Sequence, residues 1–111
     1  IIKDKKVNNI IIREQILKDF PSKELRSIID QGKKDIKSGI IISISIFEDK
    51  VGLAVGVSQD LTSKYDAVNL VKIGSEILGG KGGGGRKDFA QAGGQDKDKI
   101  DEAFEKIKSL I

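Results

Sequence analysis

The 111-residue chain is predicted to fold as an α/β domain, in an α+β two-layer arrangement of a small mixed sheet with about three helices. Three observations carry that prediction. Two neighbouring runs, 42–46 and 51–57, alternate with the period of a strand. Three other stretches repeat apolar residues at intervals of three and four, the period of a helix. Their order is strand, helix, strand, strand, helix, glycine segment, helix, which suits a sheet with helices laid against it.

The elements follow in order. Val7 to Ile12, with Ile10-Ile11-Ile12 at its centre, reads as a mostly buried strand. Pro21-Ser22 opens a helix that Ser22 is expected to cap, with Glu24 at the positive end of the dipole. Leu25, Ile28, Ile29, Gly32 and Ile36 share one face of it, and Gly39 stops it. Ile42-Ser43-Ile44-Ser45-Ile46 and Val51-Gly52-Leu53-Ala54-Val55-Gly56-Val57 then form a hairpin about Glu48-Asp49. Pairing Phe47 with Lys50 sets Ile46 opposite Val51, Ile44 opposite Leu53 and Ile42 opposite Val55, all on one face. The other face, Ser43, Ser45, Gly52, Ala54 and Gly56, is smooth, and a closely packed helix is expected there ahead of a ligand. A second helix begins between Ser63 and Asn69, presents Ala67, Leu70, Val71, Gly74, Ile77 and Leu78, and ends at Gly79. The last helix starts near Asp96, capped by Asp96 or Asp98, with Ile100, Ala103, Phe104, Ile107, Leu110 and Ile111 inward.

The composition narrows the chemistry. One domain fits this length. With no cysteine and no histidine, thiol chemistry, histidine bases and the usual zinc sites are excluded. No apolar run approaches the roughly 20 residues of a membrane span, so no membrane partner is expected. The net charge of +3 is too small to argue for nucleic acid by itself. The chain has no methionine and opens on Ile1, so it is expected to be a piece of a longer protein.

The glycine segment, residues 79–94, holds eight of the chain's 13 glycines. Lys81, Arg86 and Lys87 punctuate it with no acid before Asp88, and it closes on Phe89-Ala90, a candidate short strand. A flexible linker is a poor fit between two amphipathic helices of one domain. The expectation is a structured anion-binding loop, in which successive glycine N–H groups form a concave nest for phosphate. Lys81 would add a point charge and Arg86 a planar fork. The run lacks the Gly-Lys-Ser/Thr of a Walker loop and the strand-to-helix setting of a dinucleotide fingerprint.

Gly79-Gly80-Lys81-Gly82-Gly83-Gly84-Gly85-Arg86, followed by Asp88 and Ala90-Gln91-Ala92-Gly93-Gly94, resembles the signature near the C-terminus of alanyl-tRNA synthetases. Pro21 to Arg26, Val55 to Ser58 with Leu61-Thr62, and Asp101 to Ile111 also suit that domain, so the resemblance covers essentially the whole chain. The family usually has proline at the place of Lys87 and often methionine at that of Phe89, and its glycine run is often a residue shorter. The same domain type follows the catalytic domain of DHH-family phosphoesterases, where a histidine after the glycines contacts substrate phosphate. Here Arg86 stands in that place, which leans toward the synthetase branch.

The resemblance implies a non-catalytic, cytoplasmic module that binds tRNA, tRNA(Ala) first of all, for aminoacylation and editing by upstream domains of the same chain. It implies no cofactor within these residues and a parent enzyme using ATP and zinc. In some members this domain contributes to a homo-oligomer. The expected RNA contacts are Lys81, Gly82, Gly83, Gly84, Gly85, Arg86, Lys87 and Gln91, with no catalytic or metal-ligating residue. The alternative is the substrate-binding half of a DHH-family phosphoesterase acting on nucleic acid or nucleotides.

Three other groups compete for a role. Asp96, Asp98, Asp101, Glu102 and Glu105 alternate with Lys97, Lys99, Lys106 and Lys108, as a solvated helix face does. Lys33, Lys34 and Lys37 lie on the polar side of the first helix and could extend an RNA surface, with an ordinary helix exterior the expected assignment. Either Phe89 or Tyr65, the aromatics near the bases, could stack on a nucleobase, with core packing the expected assignment for Phe89 and both readings open for Tyr65.

Overall fold

A computed structural model describes residues 2–111 of the chain. Among the described residues, one mixed sheet of six strands runs in the order β1-β2-β3-β4-β6-β5. The strands are β1 (Ile2–Val7), β2 (Ile10–Lys18), β3 (Ile40–Phe47), β4 (Lys50–Val57), β5 (Gly83–Gly85) and β6 (Phe89–Gly94). Three helices flank it: α1 (Leu25–Ile36), α2 (Ala67–Ile77) and α3 (Ile100–Lys108). β2 and β3 are parallel and joined through α1, while every other neighbouring pair is antiparallel.

The β3–β4 hairpin has the expected register, from Phe47 opposite Lys50 to Ile42 opposite Val55. Glu48 and Asp49 take φ of 51° and 64°, the left-handed conformation that a two-residue hairpin turn requires. Ile42, Ile44, Leu53 and Val55 point into a core shared with Leu70 and Val71 of α2 and with Phe104 and Ile107 of α3. The small-residue face packs against α1, as expected. A Cβ on Gly56 would lie 2.3 Å from Ile29 Cγ2, and one on Gly52 would lie 2.6 Å from Ser22 Cβ. Leu25, Ile29, Ile41, Ala54 and Phe89 fill this second, smaller core.

Four expectations are corrected. The first strand is a hairpin: Asn8 and Asn9, with φ of 50° and 67°, turn the chain between β1 and β2. β1 is almost wholly exposed, so its sequence carries no apolar period to reveal it. Ser22 makes no capping bond and lies in a 3-10 turn, Ser22–Glu24, that leads into α1. Neither Asp96 nor Asp98 caps the last helix through its side chain, because another 3-10 turn, Lys97–Lys99, precedes α3 with Asp96 before it and Asp98 within it. Leu110 is exposed and Ile111 is buried just past the helix end.

The charged face of α3 is also less uniform than expected. Lys108 is only 12% exposed and is ion-paired with Glu14 of β2 and with Glu105, 2.6 Å away. These partners outweigh the desolvation of the Lys108 ammonium and raise its pKa. Lys108 therefore joins α3 to the sheet, and removing it would strand the buried Glu14 carboxylate.

Candidate nucleic-acid interface

The glycine run forms a strand instead of a nest. Gly83, Gly84 and Gly85 pair with Ala92, Gln91 and Ala90, so β5 is the outer edge of the sheet beyond β6. The physical reason is the other half of the segment. Phe89 and Ala90 are buried against β4, and β6 gains a full ladder only if something pairs its free side. Glycine alone permits the approach that results: a Cβ on Gly83 would sit 2.1 Å from the Gln91 carbonyl oxygen.

The ladder fixes which amides are free. Arg86 and Phe89 exchange backbone hydrogen bonds of 2.7 and 3.3 Å. Antiparallel pairs alternate, so Gly84 faces Gln91 in the same bonded sense, and the N–H groups of Gly83 and Gly85 point outward. Gly83, Gly84 and Gly85 are all exposed. The result is a side-chain-free backbone edge with outward donors, flanked by Lys81 on one side and by Arg86 and Lys87 on the other.

Both ends of this edge are anchored. At the first, Gly80 N–H donates to the Ser75 carbonyl at 2.8 Å, and the buried Ser75 hydroxyl donates to the Gly93 carbonyl at 2.7 Å. Gly82 N–H donates to the same hydroxyl at 3.2 Å. At the second end, the Asp88 carbonyl accepts from Val57 N–H at 2.9 Å and from Lys33 Nζ at 2.8 Å. Ala67 N–H, opening α2, donates to the Lys87 carbonyl at 2.9 Å. The turn is thus tied to β4, α1 and α2 together, which leaves the Arg86 side chain 68% exposed on a fixed base.

The predicted residues fall into two places. Lys81, Gly82, Gly83, Gly84, Gly85, Arg86 and Lys87 line the sheet edge and its ends. Gln91 lies one strand in, on the α1 side, where its Nε2 donates to the Ser22 carbonyl at 2.7 Å. Phe89 is core, 9% exposed, with the Arg26 guanidinium 4.5 Å above its ring. Tyr65 packs against the larger core and donates to the Ile111 carbonyl at 3.4 Å, so neither ring is free for a base.

Sequence reasoning put Lys33 on an ordinary helix exterior and missed Lys72. Lys33 is half-buried across Gly56, and desolvation pushes its pKa down while the Asp88 charge opposes that shift. Its position four residues after Ile29, at the margin of the apolar stripe, was the available signal. Lys72 of α2 runs beside β5, its Cγ 3.9 Å from where a Gly82 Cβ would stand. Only the packing of α2 on β5 reveals it. Chemically, outward amides and clustered bases favour a polyanion, and among the described residues no three acidic side chains gather as metal ligands.

This fold and edge define a DHHA1 domain: the family model of that description matches residues 8–111, and the chain belongs to the family. Within it the likeness is to alanine–tRNA ligases. The chain is 48% identical over 107 residues to the alanine–tRNA ligase of Paramagnetospirillum magneticum, covering 96% of this chain and 12% of that protein. The chain therefore spans about an eighth of the length of that relative. The solved C-Ala domain of Aquifex aeolicus alanyl-tRNA synthetase superposes with a TM-score of 0.90 at 30% identity, covering 97% of this chain and 96% of that one. A pGpG-specific phosphodiesterase from Vibrio cholerae shares the fold alone, with a TM-score of 0.53 at 19% identity over 96% of this chain and 34% of that one. Among the described residues, no helix is long and apolar enough to cross a membrane.

Proposed function

We propose that this chain is the tRNA-binding C-terminal domain of an alanine–tRNA ligase acting in the cytoplasm. It catalyses nothing itself and positions tRNA(Ala) for aminoacylation and editing by upstream domains, where ATP and zinc are used. The observation that carries the reading is the anchored glycine edge with bases at both ends, in a chain similar along its length to the C-Ala domain. A phosphate chain meets outward amides there without a side chain in the way, while Arg86 and Lys81 supply charge-assisted contacts. The phosphoesterase alternative is weaker, because Arg86 replaces the histidine which that chemistry uses.

Binding through a few phosphates has a measurable signature. Each neutralised phosphate contributes about −0.7 to −0.9 to the slope of log K against log salt. With Lys81, Arg86, Lys87 and Lys72 at the edge, tRNA binding should show a slope of roughly −3 to −4. A titration of tRNA against the chain over a salt series checks this. A slope near zero, or no binding at low salt, contradicts the reading.

A further inference from the structure

At the end of the sheet opposite Arg86 lies a groove of about 540 Å³, between the start of α1 and the β3–β4 hairpin. Ser45 and Gly52 form its floor, Phe47 stands at its side, and Lys23, Lys50 and Glu48 lie at its mouth. Two features are unexplained by the fold. Ser45 is 1% exposed, yet its hydroxyl has no hydrogen-bond partner among the described residues. Buried hydroxyls are nearly always paired, so an unpaired one facing a groove marks a missing partner. Phe47 leaves an aromatic side chain 40% exposed beside it. Lys23, in the turn before α1, also lines the groove and brings an ammonium group to it beside that of Lys50.

We infer that this groove takes one unstacked nucleotide of the bound RNA, its base against Phe47, a polar edge of the base on Ser45 Oγ, and its phosphate with the Lys23 and Lys50 ammonium groups. The dimensions agree, since sites for ligands of this size are roughly 300–1,000 Å³. A flat ring with donors and acceptors on its rim, linked to an anion, matches the aromatic wall, lone hydroxyl and paired ammonium groups together. The groove also continues the proposed RNA track. β6 leads from Phe89, beside Arg86, to Gly94 at the groove, a path of about 17 Å at ~3.3 Å per residue. Midway, Gln91 is bonded to Ser22, which lines the groove. The inference rests on the tRNA-binding reading and deepens it.

The chain contains no tryptophan, so Phe47→Trp introduces a single reporter. Adding tRNA should quench its fluorescence with the midpoint measured for binding by calorimetry. Phe47→Ala should weaken tRNA binding by about fivefold or more, the lower end for one base stacked on one ring. Its salt slope should stay unchanged, because no charge is removed. Ser45→Ala should also weaken binding while the domain unfolds at or above the parent temperature, since it deletes an unsatisfied buried group. Ser43→Ala is the matched control: Ser43 is equally buried and unpaired but does not line the groove, so binding should not change. Free nucleoside monophosphate quenching as tightly as tRNA would assign the groove to a soluble nucleotide and overturn the RNA assignment. Unquenched indole fluorescence in the Phe47→Trp protein, or parental affinity in both Phe47→Ala and Ser45→Ala, would overturn it while leaving the glycine edge intact. Failure of the unaltered chain to bind tRNA at low salt would remove both readings.

Discussion

Replacing Lys81 and Arg86 together with alanine is expected to weaken tRNA binding by about 30- to 1,000-fold. The figure comes from ~1–2 kcal/mol for each charge-assisted contact, or about 2–4 kcal/mol for the pair, at about 1.4 kcal/mol per tenfold. Both side chains are exposed at the ends of the glycine edge, and Arg86 makes only a long 3.7 Å contact with Asp88. The fold should therefore lose little. The control has to remove equal charge elsewhere without touching structure. Lys106 and Lys108 are unsuitable as a pair, because Lys108 is held by Glu14 and Glu105. Lys64 and Lys106 are both exposed, and their double substitution should cost little affinity. Equal losses from the two pairs, measured by calorimetry at one salt concentration, would mean that general basicity drives binding.

Gly80→Val is expected to act on stability. A Cβ at Gly80 would lie 2.0 Å from the Gly93 carbonyl oxygen and 2.4 Å from Ser75 Oγ. The carbonyl belongs to the ladder strand β6, and the hydroxyl is buried and bonded on two sides. Neither group moves aside without breaking the anchor of β5. Overpacking by a side chain costs about 1–3 kcal/mol, and the lost Ser75 hydrogen bonds add about 1 kcal/mol each. A total near ~3 kcal/mol corresponds to a fall in Tm of roughly 12–24 °C for a domain of this size. Thermal unfolding followed by circular dichroism checks it. A Tm within a few degrees of the parent would show that the contact relaxes freely and that Ser75 is no anchor.

The parts of the fold that were legible in the sequence are those whose side chains alternate. Ile42 to Ile46 and Val51 to Val57 carry two distinct faces, so period, turn and register followed together. The smooth face of Ser43, Ser45, Gly52, Ala54 and Gly56 announced close helix packing for the same reason. β1 was not legible because an exposed edge strand such as Lys3-Asp4-Lys5-Lys6 has no buried face to impose a pattern. Asn8-Asn9 was the usable signal, since asparagine tolerates positive φ. β5 was harder still. Three glycines have no side chain to alternate, and glycine disfavours strands, so only the pairing demand of β6 makes them one. The site residues were legible as a motif, but their arrangement along an edge was not. The lysines added by packing, Lys33 and Lys72, depend on contacts across the fold.

RNA is held to lie along the glycine edge because that edge is bare, and Gly84 isolates this property. A Cβ there would meet nothing within 4 Å, and its φ lies outside the left-handed range, so the fold does not require glycine. Gly84→Val leaves charge unchanged and adds a β-branched side chain that an edge strand accepts. The decisive measurement is affinity for tRNA and unfolding temperature on the same Gly84→Val sample. Binding weakened by about tenfold or more, ~1.4 kcal/mol, at an unchanged Tm is the expected result. Parental affinity at an unchanged Tm would contradict it and reduce the glycine run to a structural strand.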